Sequence, residues 1–190
     1  MKKLKDNIVK YSSVIDEEIL KVDSFINVQV DSLLMDEIAN EFYKKFKNTN
    51  PTKIMTIEAS GIAPSVLVAL KFKVPLIIVK KETSSIDDKE SYFATVHSFT
   101  KNKVFNVRVP KKYLNKNDRV LIIDDFLATG QAILGCLDII KKSESMNVGI
   151  GIIVEKTFQN GRKTLNDSGF DVYSLARIKS LKNNKVVFED

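Results

Sequence analysis

The chain is poor in the residues that build covalent or irregular scaffolds. Of its 190 residues, one is cysteine, seven are glycine and four are proline. The lone Cys136 can form no internal disulfide and falls short of a thiolate metal site. So little glycine and proline excludes collagen-like and Pro/Gly-rich disordered chains. No apolar run is long enough to cross a bilayer, and the opening MKKLKDNIVKYSS carries charges with no apolar stretch behind them. The cytoplasm is the expected location. His97, the only histidine, reads as structural or exposed. Internal repeats, low-complexity tracts and Gly/Ser linkers are also missing.

What remains has the balance of an ordinary globular domain, 44% hydrophobic and 28% charged. The net charge of +6 favours anionic partners. Its basic residues are scattered, in doublets such as Lys44-Lys45, Lys80-Lys81 and Lys141-Lys142, with no basic stripe interleaved with aromatics. A phosphorylated small molecule therefore fits better than nucleic acid, and neither nucleic acid nor membrane is expected as a partner.

Four short, β-branched apolar runs read as buried parallel strands: 53–57, 75–79, 120–123 and 149–154. Helical patterns lie between them. Asp31 can cap a helix whose apolar face is Leu34, Ile38, Phe42 and Phe46. The apolar stretch 62–71, with Pro64 in its first turn, reads as a buried helix. Ile133, Cys136, Leu137 and Ile140 mark one face of a third helix that starts near Gly130. Strand and helix in alternation give an α/β fold with a mainly parallel sheet, whose ligands bind in the loops after the strands. One region breaks the rhythm: behind a polar stretch from Glu82 to Glu90, the runs 92–100 and 103–109 read as an antiparallel ribbon with a lid-like approach.

The most informative stretch is Val120-Leu121-Ile122-Ile123-Asp124-Asp125-Phe126-Leu127-Ala128-Thr129-Gly130-Gln131-Ala132. An apolar strand is expected to end in two carboxylates that emerge toward water or ligand. The following loop presents Thr129 and free backbone N–H groups at a helix start, an anion site. Carboxylates for vicinal hydroxyls beside amides for a phosphate suggest a ribose 5-phosphate cradle. The plainer alternative is a strand end followed by a Thr helix cap. A second strand, loop and helix, Thr56 to Pro64, holds Ser60-Gly61, where Gly61 allows close backbone approach. Lys80-Lys81 end an apolar strand and either neutralise phosphates as mobile charges or are solvated surface, and Lys156 follows another strand, so its ammonium should reach the same sheet edge as Asp124. Phe158 either stacks on a ligand or fills the core. Gly149-x-Gly151 lies inside a strand and lacks the third glycine of a dinucleotide fingerprint.

These motifs resemble the phosphoribosyl diphosphate (PRPP) signature of type I phosphoribosyltransferases. The resemblance implies that Asp124 and Asp125 hold the ribose hydroxyls. Ala128, Thr129, Gly130, Gln131 and Ala132 would hold the 5-phosphate, and Ser60, Gly61 and Lys81 the pyrophosphate. Gln131 stands where many members have a second glycine, and Ala128 where hypoxanthine-guanine enzymes carry an Asp. Ser60-Gly61 replaces the Arg-Gly often seen in adenine enzymes. The stretch Glu18 to Asn27 is similar to the hood of bacterial xanthine phosphoribosyltransferases, as are the closing Ser174-Leu175-Ala176-Arg177-Ile178 and the loops at Glu58–Pro64 and Ile123–Ala128. By that resemblance Leu20 and Asn27 contact the base, and Lys156 at its strand end could bond the exocyclic oxygen of a 6-oxopurine.

The implied whole is one phosphoribosyltransferase domain over residues 1–190. About 1–30 and the segment after 155 form a small hood, and a flexible β-ribbon loop completes it. The implied substrates are xanthine and PRPP, with Mg²⁺ brought in by PRPP and not held at a protein metal site, and a homodimer as the assembly. A guanine or hypoxanthine enzyme, or a non-catalytic PRPP-sensing regulator, is the alternative. The relatives among regulators carry a winged-helix segment in front, and the residues before Asp31 are too few for one.

Overall fold

Local chemistry fixes the first long helix as the sequence predicts. Asp31 accepts hydrogen bonds from the backbone N–H groups of Leu33 and Leu34, satisfying two of the donors a helix start leaves open. The helix α2 (Ser32–Phe46) buries Leu34, Met35, Ile38, Ala39, Phe42 and Phe46. Before it come α1 (Lys2–Tyr11) and a hairpin of β1 (Ser13–Ile15) and β2 (Ile19–Lys21), then a π-helical turn, Asp23–Asn27. In this computed structural model, residues 1–82, 89–98 and 103–189 are described. The lid-like approach expected over Glu82–Glu90 falls largely outside them, as do Phe99 and Thr100.

The chain continues as β3 (Lys53–Ile57), α3 (Ile62–Phe72), β4 (Leu76–Glu82), β5 (Ser91–Ser98), β6 (Lys103–Pro110), β7 (Arg119–Leu127), α4 (Gln131–Lys142), β8 (Met146–Lys156), α5 (Gly161–Asp167), β9 (Tyr173–Ser180) and β10 (Val187–Phe188). Eight strands form one sheet in the order β10-β9-β8-β7-β3-β4-β6-β5. Its centre, β9-β8-β7-β3-β4, is parallel, and β10, β6 and β5 add antiparallel edges. The ribbon expected from 92–100 and 103–109 is the β5–β6 hairpin, with Tyr92 opposite Val109 and His97 opposite Val104. His97 is exposed, as expected.

A hydrophobic core lies on each face of the sheet. One gathers α1, the π-helical turn, α2 and α3 over Leu121, Ile123 and Ile153. The other gathers α4, α5 and the ribbon over Val120, Ile122 and Ile152. The glycines of β8 are notches for α2: a Cβ on Gly149 would lie 2.6 Å from the Phe46 ring, and one on Gly151 would lie 2.7 Å from Phe42. That packing explains the pair without a nucleotide. One expectation needs correcting. Helix α3 is not buried all round, because it turns Val66 and Leu70 to the surface while burying Pro64, Ser65, Val68 and Ala69. It covers one face of the sheet rather than filling a core, so only one stripe has a partner.

Candidate active site

Strand β7 is longer than its apolar run suggests. It passes through Asp124 and Asp125 to Leu127, pairing with β8 as far as Leu127 opposite Glu155. The acids therefore lie within the strand, not beyond its end, and both are buried, at 4% and 6% exposure. The expectation that they emerge into water is corrected accordingly. Alternation slips as the chain passes them. Leu121 and Ile123 face one core and Val120 and Ile122 the other, yet Phe126 joins the first core and Leu127 the second. A sequence-level alternation argument would have continued without that slip.

Burial dominates the electrostatics of the pair. It pushes the Asp124 carboxyl well above the ordinary carboxylate range, and the neighbouring charge of Asp125 pushes it further. Asp125 is raised by burial too, despite a hydrogen bond from Ser60 that favours its ionised form. The backbone N–H of Asp125 donates to Asp124 Oδ1 at 3.1 Å. Lys81 is near enough for its charge to draw Asp124 back down. Two adjacent carboxylates held this way favour a ligand that brings hydroxyl donors or a cation.

The Ser60–Gly61 loop closes over these acids. A Cβ on Gly61 would fall 2.2 Å from Thr56 Oγ1 and 2.6 Å from Asp124 Oδ1. Gly61 has ordinary helical backbone angles, so close approach is what demands a glycine here, not a left-handed turn. Thr56 Oγ1 beneath it is buried with no hydrogen-bond partner. Glu58 anchors the loop to β4, accepting from Lys80 Nζ at 2.9 Å and from the Lys81 N–H at 2.6 Å. The Glu58–Ala59 peptide is cis. Lys80 is thus engaged as the partner of Glu58, while the Lys81 ammonium lies 5.4 Å from the centre of the Phe105 ring.

After Leu127 the chain turns through Ala128, Thr129 and Gly130 into α4. Gly130 takes the left-handed conformation, φ 83°, that favours glycine. No side chain caps this helix. The N-cap is Gly130 and not Thr129, so the plainer alternative of a Thr cap does not hold, and among the described residues no side chain accepts from the first-turn N–H groups of Gln131 and Ala132. At the neighbouring strand end, Lys156 Nζ donates to Glu18 O at 2.7 Å, joining the sheet edge to the β1–β2 turn. Burial lowers the lysine's pKa, and Glu18 only partly offsets that. Its ammonium also lies 5.8 Å from the Phe126 ring centre. Leu20 is buried in the same amino-terminal unit, whereas Asn27, at the end of the π-helical turn, is exposed. Phe158 is 41% exposed, so it does not fill the core.

A model of the phosphoribosyl transferase domain matches residues 29–188. The chain belongs to the phosphoribosyltransferase family. Among its relatives, the xanthine phosphoribosyltransferase of Clostridium novyi (strain NT) is 49% identical over 190 residues, the full length of both chains. That of Staphylococcus aureus (strain MRSA252) is 52% identical over 173 residues, 91% of this chain and 90% of the other. Among solved structures, an adenine phosphoribosyltransferase from Giardia lamblia complexed with 9-deazaadenine superposes with a TM-score of 0.78. It is 20% identical and covers 92% of this chain and 97% of its own. The Saccharomyces cerevisiae adenine enzyme gives a TM-score of 0.74 at 20% identity, over 92% of this chain and 99% of its own. At that identity the likeness establishes a shared phosphoribosyltransferase fold.

Among the described residues no cluster of three or more His, Cys, Asp or Glu could hold a metal ion. The Asp124–Asp125 pair is a donor set that would suit Mg²⁺ sharing its coordination with ligand oxygens and water. Cys136 is inert: it is fully buried, and burial followed by the charge of Asp124 pushes its thiol pKa far up. The sequence motifs include Thr56 and Glu58 without giving either a role, and they do not show the pairing of Glu155 with Arg162. A carboxylate directly after an otherwise apolar strand run, as at Glu155, was the available signal.

Proposed function

We propose that this chain transfers the 5-phosphoribosyl group of PRPP to xanthine, giving xanthosine 5′-monophosphate and pyrophosphate for purine salvage. The observation that carries the reading is the convergence at one sheet edge of the Asp124–Asp125 pair, the Gly61 loop, the uncapped Thr129–Gln131 turn and Lys156. Full-length identity near one half to proteins named xanthine phosphoribosyltransferase supports the choice of base. The wider fold does not decide it, since similar folds belong to adenine enzymes.

Asp124 and Asp125 accept hydrogen bonds from the ribose hydroxyls. The Ala128–Ala132 backbone binds the 5-phosphate, and Ser60, Gly61 and Lys81 face the pyrophosphate. Mg²⁺ brought in by PRPP would supply charge neutralisation for the leaving pyrophosphate. Loss of pyrophosphate leaves an oxocarbenium-like ribose, so the residues act by positioning and electrostatic stabilisation. Lys156 releases the Glu18 carbonyl and donates to the 6-oxygen of the base, a charge-assisted bond of about 1.5–3 kcal/mol. Adenine offers an amino donor at that position and is rejected. Guanine and hypoxanthine share the 6-oxygen, so Asn27, beside the base, is assigned the 2-oxygen that sets xanthine apart. A homodimer belongs to the same reading; Leu33 and Leu70 supply exposed apolar surface for it, and light scattering tests it.

The test follows pyrophosphate release from PRPP and Mg²⁺ with xanthine, guanine, hypoxanthine, adenine or orotate supplied singly. Xanthine is expected to turn over fastest and adenine not measurably. Preference for another oxopurine overturns the base assignment; bound PRPP without turnover moves the chain to the sensors.

A further inference from the structure

Glu155, the last residue but one of strand β8, has its carboxylate 1% exposed. A carboxylate so buried is unfavourable unless it is paired and hydrogen-bonded. Arg162 supplies the hydrogen-bonded partner as a fork, Nε donating to Oε1 at 2.7 Å and Nη2 to Oε2 at 2.6 Å, while Arg177 Nε stands 3.5 Å from Oε2 as a second ion pair. The remaining guanidinium donors reach across to the β9 side, Nη1 to the Val172 carbonyl at 2.9 Å and Nη2 to Ser174 Oγ at 3.3 Å. Burial alone would raise the Glu155 pKa, but the bonds from Arg162 and then Ser174 outweigh it and leave it lowered. Neither side chain has a role in the mechanism above.

What the fork holds in place is the residue before it. The Gly161 N–H donates to the Ala128 carbonyl at 3.0 Å, and Ala128 begins the loop read as the phosphate subsite. A Cβ on Gly161 would stand 2.4 Å from that oxygen, and one on Gly130 would stand 3.2 Å from the Gly161 carbonyl. Two glycines therefore let the start of α5 and the loop meet backbone to backbone. The Ala128 carbonyl and the Thr129 N–H belong to one planar trans peptide and point in opposite directions. Fixing the carbonyl toward Gly161 aims the Thr129 N–H away from α5.

We propose that Glu155 and Arg162 are a positioning pair for the 5-phosphate subsite, acting through Gly161 on the Ala128–Thr129 peptide plane. The inference rests on reading that loop as the phosphate site. Because Glu155 is followed by Lys156, the same clamp fixes the span between the phosphate loop and the lysine that meets the base.

The test is direct titration of wild type, Arg162→Met, Arg162→Lys and Gly161→Ala with ribose 5-phosphate and, separately, with Mg²⁺-pyrophosphate, beside thermal melts. Neither titration needs the base, so an error in the base assignment leaves the result intact. Arg162→Met and Gly161→Ala should weaken ribose 5-phosphate binding about tenfold, the scale of one charge-assisted hydrogen bond, and leave pyrophosphate binding unchanged. Arg162→Lys should recover part of the loss. Gly161→Ala keeps the ion pair, so it tests the relay even where Arg162→Met fails to fold. Wild-type affinity in the folded variants overturns the proposal. So does a parallel loss of both ligands that follows the fall in melting temperature. Wild-type protein that does not bind ribose 5-phosphate removes the phosphate reading and the positioning role together.

Discussion

Strand β7 has aspartates at both ends, and the two ends are built for opposite purposes. Asp118, just before the strand, accepts from the Thr52 hydroxyl at 2.9 Å and from the Asn115 N–H at 2.9 Å, with Lys53 Nζ at 3.8 Å. Next to it Arg119 binds the carbonyls of Thr49 and Asn50. Asp124 and Asp125, at the other end, are buried beside each other, with the charge of Lys81 and the Ser60 hydroxyl as partial compensation. Near them a threonine hydroxyl lacks a partner and a helix start lacks a side-chain cap. A satisfied cluster stabilises the fold; an unsatisfied one leaves groups that a ligand would complete.

The largest expected break in that contrast is Asp124→Asn. Turnover of PRPP should fall about 10²-fold or more, because the ribose loses its fixed position. Stability should move the other way. An acid whose pKa is raised on folding destabilises the folded state once ionised. That cost is absent below the unfolded value of 3.8 and complete above the raised folded one. At neutral pH Asp124→Asn should therefore melt higher than wild type, and its stability should decline less as pH rises. Unchanged turnover would remove the ribose role, and a lower melting point would contradict the electrostatics.

Next in size is Lys156→Met, expected to lower kcat/KM for oxopurines by about 10- to 150-fold, the equivalent of one charge-assisted hydrogen bond. PRPP affinity should be retained, and a loss of PRPP binding instead would place the lysine at the phosphates. Gly61→Ala should weaken PRPP binding about tenfold by pushing the loop off Asp124, as isothermal titration would read; unaltered affinity would show that the loop can yield. At the opposite end Asp118→Asn should cost about 1–3 kcal/mol of stability in a denaturant melt while leaving PRPP affinity alone. The smallest change is Asn27→Ala, which should narrow the preference for xanthine over guanine without affecting PRPP; unchanged selectivity excludes its side chain.

Much of this was legible in the sequence, because it depends on short-range pattern. Asp31 and the i, i+4 spacing from Leu34 to Phe46 specify α2, and the β-branched runs mark four of the five parallel strands at the sheet centre. The two acids and the Thr-Gly turn were visible for the same reason. Burial of Asp124 was not, since it depends on Gly61 arriving from a loop more than sixty residues earlier. Nor was the engagement of Lys80, which needs Glu58 across the strand pair. The π-helical turn before Asp31 follows its contact with α1 and the hairpin its contact with the turn at Lys182–Asn184, and they carry no periodicity that local reading could use. Glu155 was seen as part of a strand end, but its partner Arg162 is defined only once α5 folds back.

One competition measures the central claim most directly. Purified protein with Mg²⁺ and limiting PRPP is given equimolar xanthine, guanine, hypoxanthine and adenine, and the mononucleotides are counted by mass spectrometry. Their ratio reports the relative kcat/KM of the bases. Xanthosine monophosphate should dominate, the guanine and hypoxanthine products should follow, and adenosine monophosphate should be negligible. Adenosine monophosphate as the main product, or no mononucleotide at all, would contradict the account.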